Sequence, residues 1–521
     1  MGIKRLLRLN LIPSVADLFF MIVLFSIIFG GKSTLLNDGD TGYHIRAGEH
    51  IIKTRSIPTF DMFSLHTPPL PWTAHEWLSE VWMALLHRLL GLTGIVAFFA
   101  LLLAGTTYLL FRILRSYQTN ILLATTMTIL ALASSQLHWL ARPHLFSFLL
   151  MVIFHYLIES WHCNRENRLY LLPPIMLLWV NLHGGFVGGF ILLGAYLIGN
   201  LVSLPSLQPV ERQALLRKLK GLTVAIVASL AVCLINPYGY RILLFPFRLV
   251  SDRFIMNHVS EFLSPNFHEW MPFKYLLLLL IAIFALSKKT MEPTELVVIL
   301  IFTNMALYSV RYVPLFALIT APILTRKADE ARGEIGGRVA KFLRDRSEKM
   351  ARVDARTTGH IWPATAVFTV AAAILSGQIS HAFDEKVLPV AACEFLMQEK
   401  IAGNMFNSDE FGDYLIYRNS PSYRVFIDGR LDMYGSARLK EYNQVIGFEP
   451  GWESILDKYG VTWILFGSNT RFSRFLLKDR NWTLIYSDPV ASIFVKKLPQ
   501  HEHLTVKYRA VKPALCYAKE T

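Results

Sequence analysis

The chain has 521 residues, 53% hydrophobic and 17% charged, against about 25% charged in ordinary soluble domains. That shortfall argues against a soluble multidomain enzyme, 13% aromatic residues exclude a disordered chain, and four scattered Cys exclude a disulfide scaffold or a zinc motif. The formal net charge of +14 suits either a nucleic-acid binder or the Lys/Arg bias of cytoplasmic loops in a membrane protein, and the placement of the charges decides between them.

A hydrocarbon core about 30 Å thick needs about 20 mainly apolar residues in a helix. About eleven windows approach that length, at 15–29, 92–111, 121–137, 145–161, 169–182, 186–204, 222–235, 275–286, 296–310, 312–324 and 361–380. The first is not a cleaved signal, because Gly30-Gly-Lys-Ser lacks a small-x-small site and further spans follow. Lys4, Arg5, Arg8, Arg112, Arg115, Arg165, Arg168, Arg212, Arg217, Lys218, Lys220, Lys288, Lys289 and the run from Arg326 to Arg356 fall in alternate connections. By the positive-inside rule those connections are cytoplasmic. The N-terminus is then inside, and everything after about His381 is outside, the periplasm in a bacterium. The charge excess is thereby an orientation signal, and no nucleic-acid partner is expected.

Two segments are not spans. The first external loop, 31–91, carries Trp72, Trp77 and Trp82 and a stretch at 75–90 with apolar residues at helical spacing, read as an amphipathic helix in the membrane interface. The tail, 383–521, alternates short apolar runs (405–406, 423–427, 461–466, 492–495) with helical patterns. That alternation predicts a small α/β domain. Cys393 and Cys516 both lie in it, so a disulfide is allowed in an oxidising compartment but not required. The fold class expected is a polytopic α-helical membrane protein, residues 1–382, with a C-terminal periplasmic α/β domain.

Ionisable groups at membrane depth are costly and point to function. Those expected at the external boundary are Asp38, Asp40, Tyr43 and His44 after the first span, His75 and Glu76, Arg142 and His144, Asn181 and His183, Asn236, Glu261 and Arg311. Each has a bland reading: Asn37-Asp-Gly-Asp is turn chemistry, Asn236-Pro-Tyr-Gly is a helix stop, and Arg311 can snorkel to headgroups. His75-Glu76 has no second His four residues after His75, so the zinc-protease helix is rejected. Gathered on one face they suit a carboxylate base, arginines that hold a lipid phosphate, and imidazoles that neutralise a departing one.

Asp38-Gly-Asp-Thr-Gly-Tyr-His44, with Gly48-Glu49, Ser56-Ile-Pro-Thr-Phe-Asp61 and His75-Glu-Trp-Leu-Ser-Glu80, resembles the first external loop of bacterial multispanning glycosyltransferases. The plan is similar to the GT-C superfamily, which includes oligosaccharyltransferases, protein mannosyltransferases and aminoarabinose transferases. Arg142-Pro-His-Leu-Phe-Ser147, Trp179-Val-Asn-Leu-His-Gly-Gly185, Asn236-Pro-Tyr-Gly239, Phe406-Asn407, Phe411-Gly-Asp-Tyr-Leu415 and Val425-Phe-Ile-Asp-Gly-Arg430 with Tyr434-Gly435 extend the likeness. The resemblance implies a polyprenyl-phosphate-linked sugar donor, inverting transfer to an external glycan, lipid or protein acceptor, and Asp40 as catalytic base with Asp38 as alternate. Under it Arg142 or Arg311 holds the donor phosphate, and a divalent metal (Mg or Mn) on ligands from Asp38, Asp40, His44, His75, Glu76 and His183 is left open. The Trp-Trp-Asp motif of oligosaccharyltransferases is missing from the tail, so an Asn-x-Ser/Thr acceptor is not expected. Asp428, Arg430 and Asp432 form the tail's most suggestive polar cluster, expected chiefly to lock its own strand-to-helix turn. A lipid or glycan transporter and a non-catalytic assembly protein remain as alternatives.

Overall fold

The structure is a computed structural model that describes residues 12–287, 290–332, 337–357 and 361–514. Lys4, Arg5, Arg8, Lys288, Lys289 and Cys516 lie outside the described residues. All eleven apolar windows form helices: α1 (Val15–Phe29), then, after α2 (Asp40–Thr54), α3 (Trp77–Ser116), α4 (Ile121–Ser135), α5 (His144–His162), α6 (Leu172–Leu182), α7 (Phe186–Ser203) and α8 (Pro209–Val232). After the short α9 (Arg241–Ser251) and α10 (Arg253–His258) come α11 (Pro272–Leu286), α12 (Pro293–Tyr308), α13 (Val313–Arg332), the basic α14 (Arg338–Asp354) and α15 (Ile361–Leu375). Among the described residues four helices are long and apolar enough to cross a membrane, those based on α3, α4, α5 and α7; α1, α6, α11, α12 and α15 are shorter apolar helices.

Local chemistry sets the helix ends. Ser14 caps α1, its Oγ accepting from Asp17 N at 3.1 Å while Asp17 Oδ2 accepts from Ser14 N at 2.9 Å. Asn120 caps α4 through Leu122 N and Leu123 N, and proline begins α8, α11 and α12. The predicted interfacial helix and the second span form one 40-residue helix, α3, broken only at Gly91, whose φ of 63° suits glycine. Before the break Ser79, Glu80, Met83 and Ala84 are buried, while Trp82 and Leu89 are exposed. α8 starts 13 residues ahead of its apolar window, because a polar first half beginning at Pro209 continues the same helix.

The tail holds α16 (Val390–Glu399), β1 (Asn404–Asn407), α17 (Asp409–Asn419), α18 (Leu431–Ile446), α19 (Trp452–Lys458), β2 (Val461–Gly467), α20 (Arg471–Leu476), β3 (Trp482–Ser487), β4 (Ala491–Lys496) and α21 (Glu502–Lys507). Its sheet has the order β1-β2-β4-β3, with β1 and β2 parallel and the other pairs antiparallel. Residues 423–427 are not a strand as expected: Asn407 takes their backbone by accepting from Phe426 N (2.7 Å) and donating to Ile427 O (2.8 Å), and Val425 pairs with Ser64 of the first loop. β3 replaces that segment in the sheet. Cys393 is buried as a free thiol.

The bundle has two polar ends. At one, Arg326 pairs with Glu159 (2.6 Å) and Glu295 (3.0 Å), Lys327 with Glu295 (3.2 Å), and Tyr196 donates to Glu159, a network that joins α5, α7, α12 and α13 and was not anticipated. Arg165 donates to Ser116 O (3.2 Å) and Lys218 to His162 O (2.7 Å) at the same end. The middle of α5, Phe148 to Phe154, is apolar. The acidic first loop and the tail meet at the other end.

Candidate active site

Asp40 is the first residue of α2, and Asp38 Oδ1 accepts from its backbone N at 3.2 Å. The turn between α4 and α5 is drawn to this point: Ala141 N donates to Leu35 O (2.9 Å), and Thr41 Oγ1 donates to Ala141 O (3.0 Å). Arg142 follows, and its guanidinium is held by three carboxylates. Nη1 lies 3.0 Å from Asp40 Oδ2 and 3.0 Å from Glu261 Oε1, and Nη2 donates to Asp38. Glu261 is fixed by Ser309 Oγ donating to Glu261 O (2.9 Å) and Val310 N donating to Leu263 O (2.9 Å). That contact sets Arg311 beside the same loop, its guanidinium 5.4 Å from the Phe262 ring centre.

The tail closes on Asp40 from the far side. α17 packs on α2 where Gly42 leaves room; a Cβ there would stand 2.6 Å from Tyr417 Cβ. Arg46 donates twice to Tyr417 O, at 2.8 and 2.6 Å. The packing presents Asp413, whose carboxyl hydrogen-bonds to Asp40 and whose Oδ2 accepts from Gly429 N at 2.9 Å. Burial raises Asp40 most, Arg142 opposes it, Asp38 and Glu261 add to it, and the carboxyl is pushed up to about 7. Asp413 is held well above the carboxylate range by burial and by Asp40, so it is the protonated donor of the pair. Burial works against ionised Glu261, but Arg142 and Arg311 outweigh it and bring it to about 2.

A second cluster centres on Glu76, whose carboxylate lies 3.6 Å from His44 Nε2, 3.7 Å from His75 Nε2 and 3.4 Å from His183 Nε2. His44 Nδ1 is 3.4 Å from Glu80. Gly185 N donates to His183 Nδ1 (2.9 Å), so His183 Nε2 carries the proton that faces Glu76. His75 Nδ1 lies 3.2 Å from Thr73 O and donates to it. Burial lowers His44 and His183 well below the ordinary imidazole value, leaving them neutral, and raises Glu76.

The remaining expected residues divide. His144 Nε2 lies 2.6 Å from His138 O, its ring 6.4 Å from that of His183. Tyr43 is buried with its ring 4.0 Å from His44. Asn181 and Asn236 are not in either cluster: Asn181 accepts from Trp77 Nε1 (2.9 Å) and donates to Leu177 O and Ile235 O, and Asn236 closes its own turn through Gly239 O (3.1 Å) and Tyr238 N (2.7 Å). Both line an open groove of about 600 Å³ with Leu78, Leu177, Leu178 and Leu234, beginning at Trp77 beside Glu76.

Asp428 and Arg430 do more than lock their own turn. Arg430 grips Asp428 by two bonds (2.8 and 2.7 Å), but Nη2 also lies 2.9 Å from Asp61 of the first loop, and the guanidinium sits 4.7 Å from the centre of Trp72. Asp413 and Glu80 had been quoted within motifs without a role. A side chain on Gly412 would strike Ile427 O at 2.2 Å, and this close packing sets the following Asp413 beside Gly429.

No protein-family model matches the chain, and no curated protein matches it by sequence. Its structure superposes on the oligosaccharyltransferase AglB of Archaeoglobus fulgidus in complex with an inhibitory peptide and a dolichol-phosphate, with a TM-score of 0.57 at 10% identity over 91% of this chain and 71% of that one. The chain shares the fold of that oligosaccharyltransferase. The same oligosaccharyltransferase tethered to an acceptor peptide containing the NVT sequon gives 0.52 at 10% identity (95% and 74% covered), and its complex with Zn and sulfate 0.50 at 10% (92% and 73% covered). The likeness extends over more than nine-tenths of the chain, so it includes the tail as well as the helices.

Proposed function

We propose that this protein is a membrane glycosyltransferase that moves a sugar from a polyprenyl phosphate to an acceptor on the outer face of a bacterial inner membrane, inverting the anomeric carbon. The observation that carries this reading is Asp40, a carboxylate poised near neutrality between Arg142 and the protonated Asp413 at one end of an apolar bundle. A general base acts best when its pKa lies near the working pH. In the proposed step Asp40 takes the acceptor hydroxyl proton as that oxygen attacks the anomeric carbon, and the carbon–oxygen bond to the lipid phosphate breaks, its electron pair leaving with the phosphate. Arg142 is held through Nη1 and Nη2 by three carboxylates and serves to aim Asp40. Arg311 makes no ion pair within 4 Å among the described residues, although its charge helps hold Glu261 ionised, and it is the better phosphate holder. The groove beginning at Trp77 suits an isoprenoid chain.

A divalent metal does not fit the donor set as it stands. Asp38 and Asp40 are turned to Arg142, His183 Nε2 carries a proton, and among the described residues no group of three His, Cys, Asp or Glu has the geometry to hold an ion. A transport reading gains no support, because the apolar middle of α5 separates the two polar ends.

The test uses purified full-length protein and undecaprenyl phosphate as probe. Native mass spectrometry should show the lipid bound to wild type and to Asp40→Asn but weakened in Arg311→Gln, while sugar transfer in membranes is lost in Asp40→Asn. Transfer by the Asn variant, or no lipid on the wild type, overturns the assignment.

A further inference from the structure

α14, at the end of the bundle away from Asp40, carries two faces that the proposed reaction does not use. Arg338, Lys341, Arg344, Arg346, Lys349 and Arg352 face only Asp345, Glu348 and Asp354 along its length. At 3.6 residues per turn, Phe342, Leu343, Met350 and Val353 fall within an arc of about 100°, and they are 56, 49, 39 and 50% exposed. The arc contains Arg346, whose guanidinium lies 5.2 Å from the Phe342 ring centre. Ser347, about a quarter-turn away, is buried, so the helix already has a protein-facing side and the apolar arc is a separate surface.

The placement of α14 says what covers that arc. It follows α13 and precedes the apolar α15, and its Asp354 Oδ1 accepts from Val15 N (2.8 Å) at the start of α1. α1 is about 22 Å long at 1.5 Å per residue, with Asp38 beyond its other end, so α14 lies across the opposite boundary of the bundle. An exposed apolar arc edged by Lys and Arg at the boundary of a membrane-embedded bundle matches the acyl and headgroup layers of an anionic leaflet.

We propose that α14 binds the headgroups of anionic phospholipids in the leaflet opposite the Asp40 site, with Phe342, Leu343, Met350 and Val353 seated among the acyl chains. Arg338, Lys349 and Arg352, which flank one side of the arc, reach the phosphates, and Arg346 stays over Phe342. The surface is therefore a lipid site distinct from the polyprenyl groove at the other end.

An environment-sensitive fluorophore on Phe342→Cys, in a Cys163→Ser/Cys516→Ser background of the full chain, tests this in nanodiscs of phosphatidylcholine with and without phosphatidylglycerol. The expected result is a blue shift that grows with phosphatidylglycerol, falls as salt rises, and needs about tenfold more anionic lipid in Arg338→Gln/Lys349→Gln/Arg352→Gln. An identical spectrum in both bilayers, or a response in the triple variant equal to that of its parent, overturns the proposal. If the triple variant does not fold, the salt dependence of the parent decides alone: a shift insensitive to salt refutes headgroup binding.

Discussion

Asp40 and Asp413 form a pair in which one carboxyl serves the other. Asp413 is protonated and donates, which lowers Asp40, while burial, Asp38 and Glu261 raise it. If ionised Asp40 is the base, transfer should rise with pH through about 7. Asp413→Ala removes the donor and should move that limb to higher pH, whereas Asp413→Asn keeps an N–H to donate and should leave the limb near its wild-type place. A pH–rate profile of kcat/KM checks both, and an unmoved limb in Asp413→Ala would refute the pairing. Stability follows the opposite sign. Asp40 holds its proton more tightly folded than unfolded, so its contribution is full below about pH 4 and declines as pH rises to about 7. Asp40→Asn should flatten that decline in thermal unfolding. That Asp38, Asp40, Arg142 and Glu261 gather at one end of the bundle was legible because ionisable side chains recur at alternate helix ends. Asp413 was not, because no local pattern connects a residue of the tail to one that precedes it by more than 370 positions.

The elements that matter most are those that join the first loop to the tail. α17 can approach α2 only because Gly42 has no side chain, and Tyr417 fills the space. Gly42→Val should push α17 outward and carry Asp413 from Asp40; since displacements of about 1 Å can cost 10²-fold, transfer should fall at least tenfold with the bundle still folded, as measured by activity beside thermal unfolding. Arg430 is the second joint. It is 2% exposed and shared between Asp428 and Asp61, so Arg430→Ala strands two buried carboxylates at a cost of about 3 kcal/mol or more. Limited proteolysis should then cut between loop and tail, with Arg430→Lys intermediate because it keeps charge but loses the fork. The apolar windows announced the helices because bilayer-scale runs leave no other way to satisfy the backbone. The tail's strands were harder. Residues 423–427 have a strand's composition, but Asn407 and the first loop take their backbone groups, whereas β3, with Thr483 and Ser487 beside Trp482, Leu484, Ile485 and Tyr486, pairs with β4.

At the scale of the molecule the two ends of the bundle differ in kind. One gathers Asp38, Asp40, Glu76, Glu261 and Asp413 around Arg142 and the imidazoles; the other gathers Arg165, Lys218, Arg326 and α14. On the proposed reading the second end faces the cytoplasm, as the positive-inside rule would have it, and the acidic end and the tail lie outside, where a lipid-linked sugar would meet its acceptor. Cys163 is an exposed thiol at the basic end and a native reporter of that assignment. In a Cys516→Ser chain, a membrane-impermeant maleimide should leave Cys163 unlabelled in intact cells and label it after permeabilisation. Lys478→Cys, on the exposed surface of the tail, should be labelled in cells whose outer barrier alone has been opened. Labelling with the reverse pattern would place Asp40 on the side of the nucleotide sugars and remove the reason for a lipid-linked donor, although the pairing of Asp40 with Arg142 and Asp413 would stand.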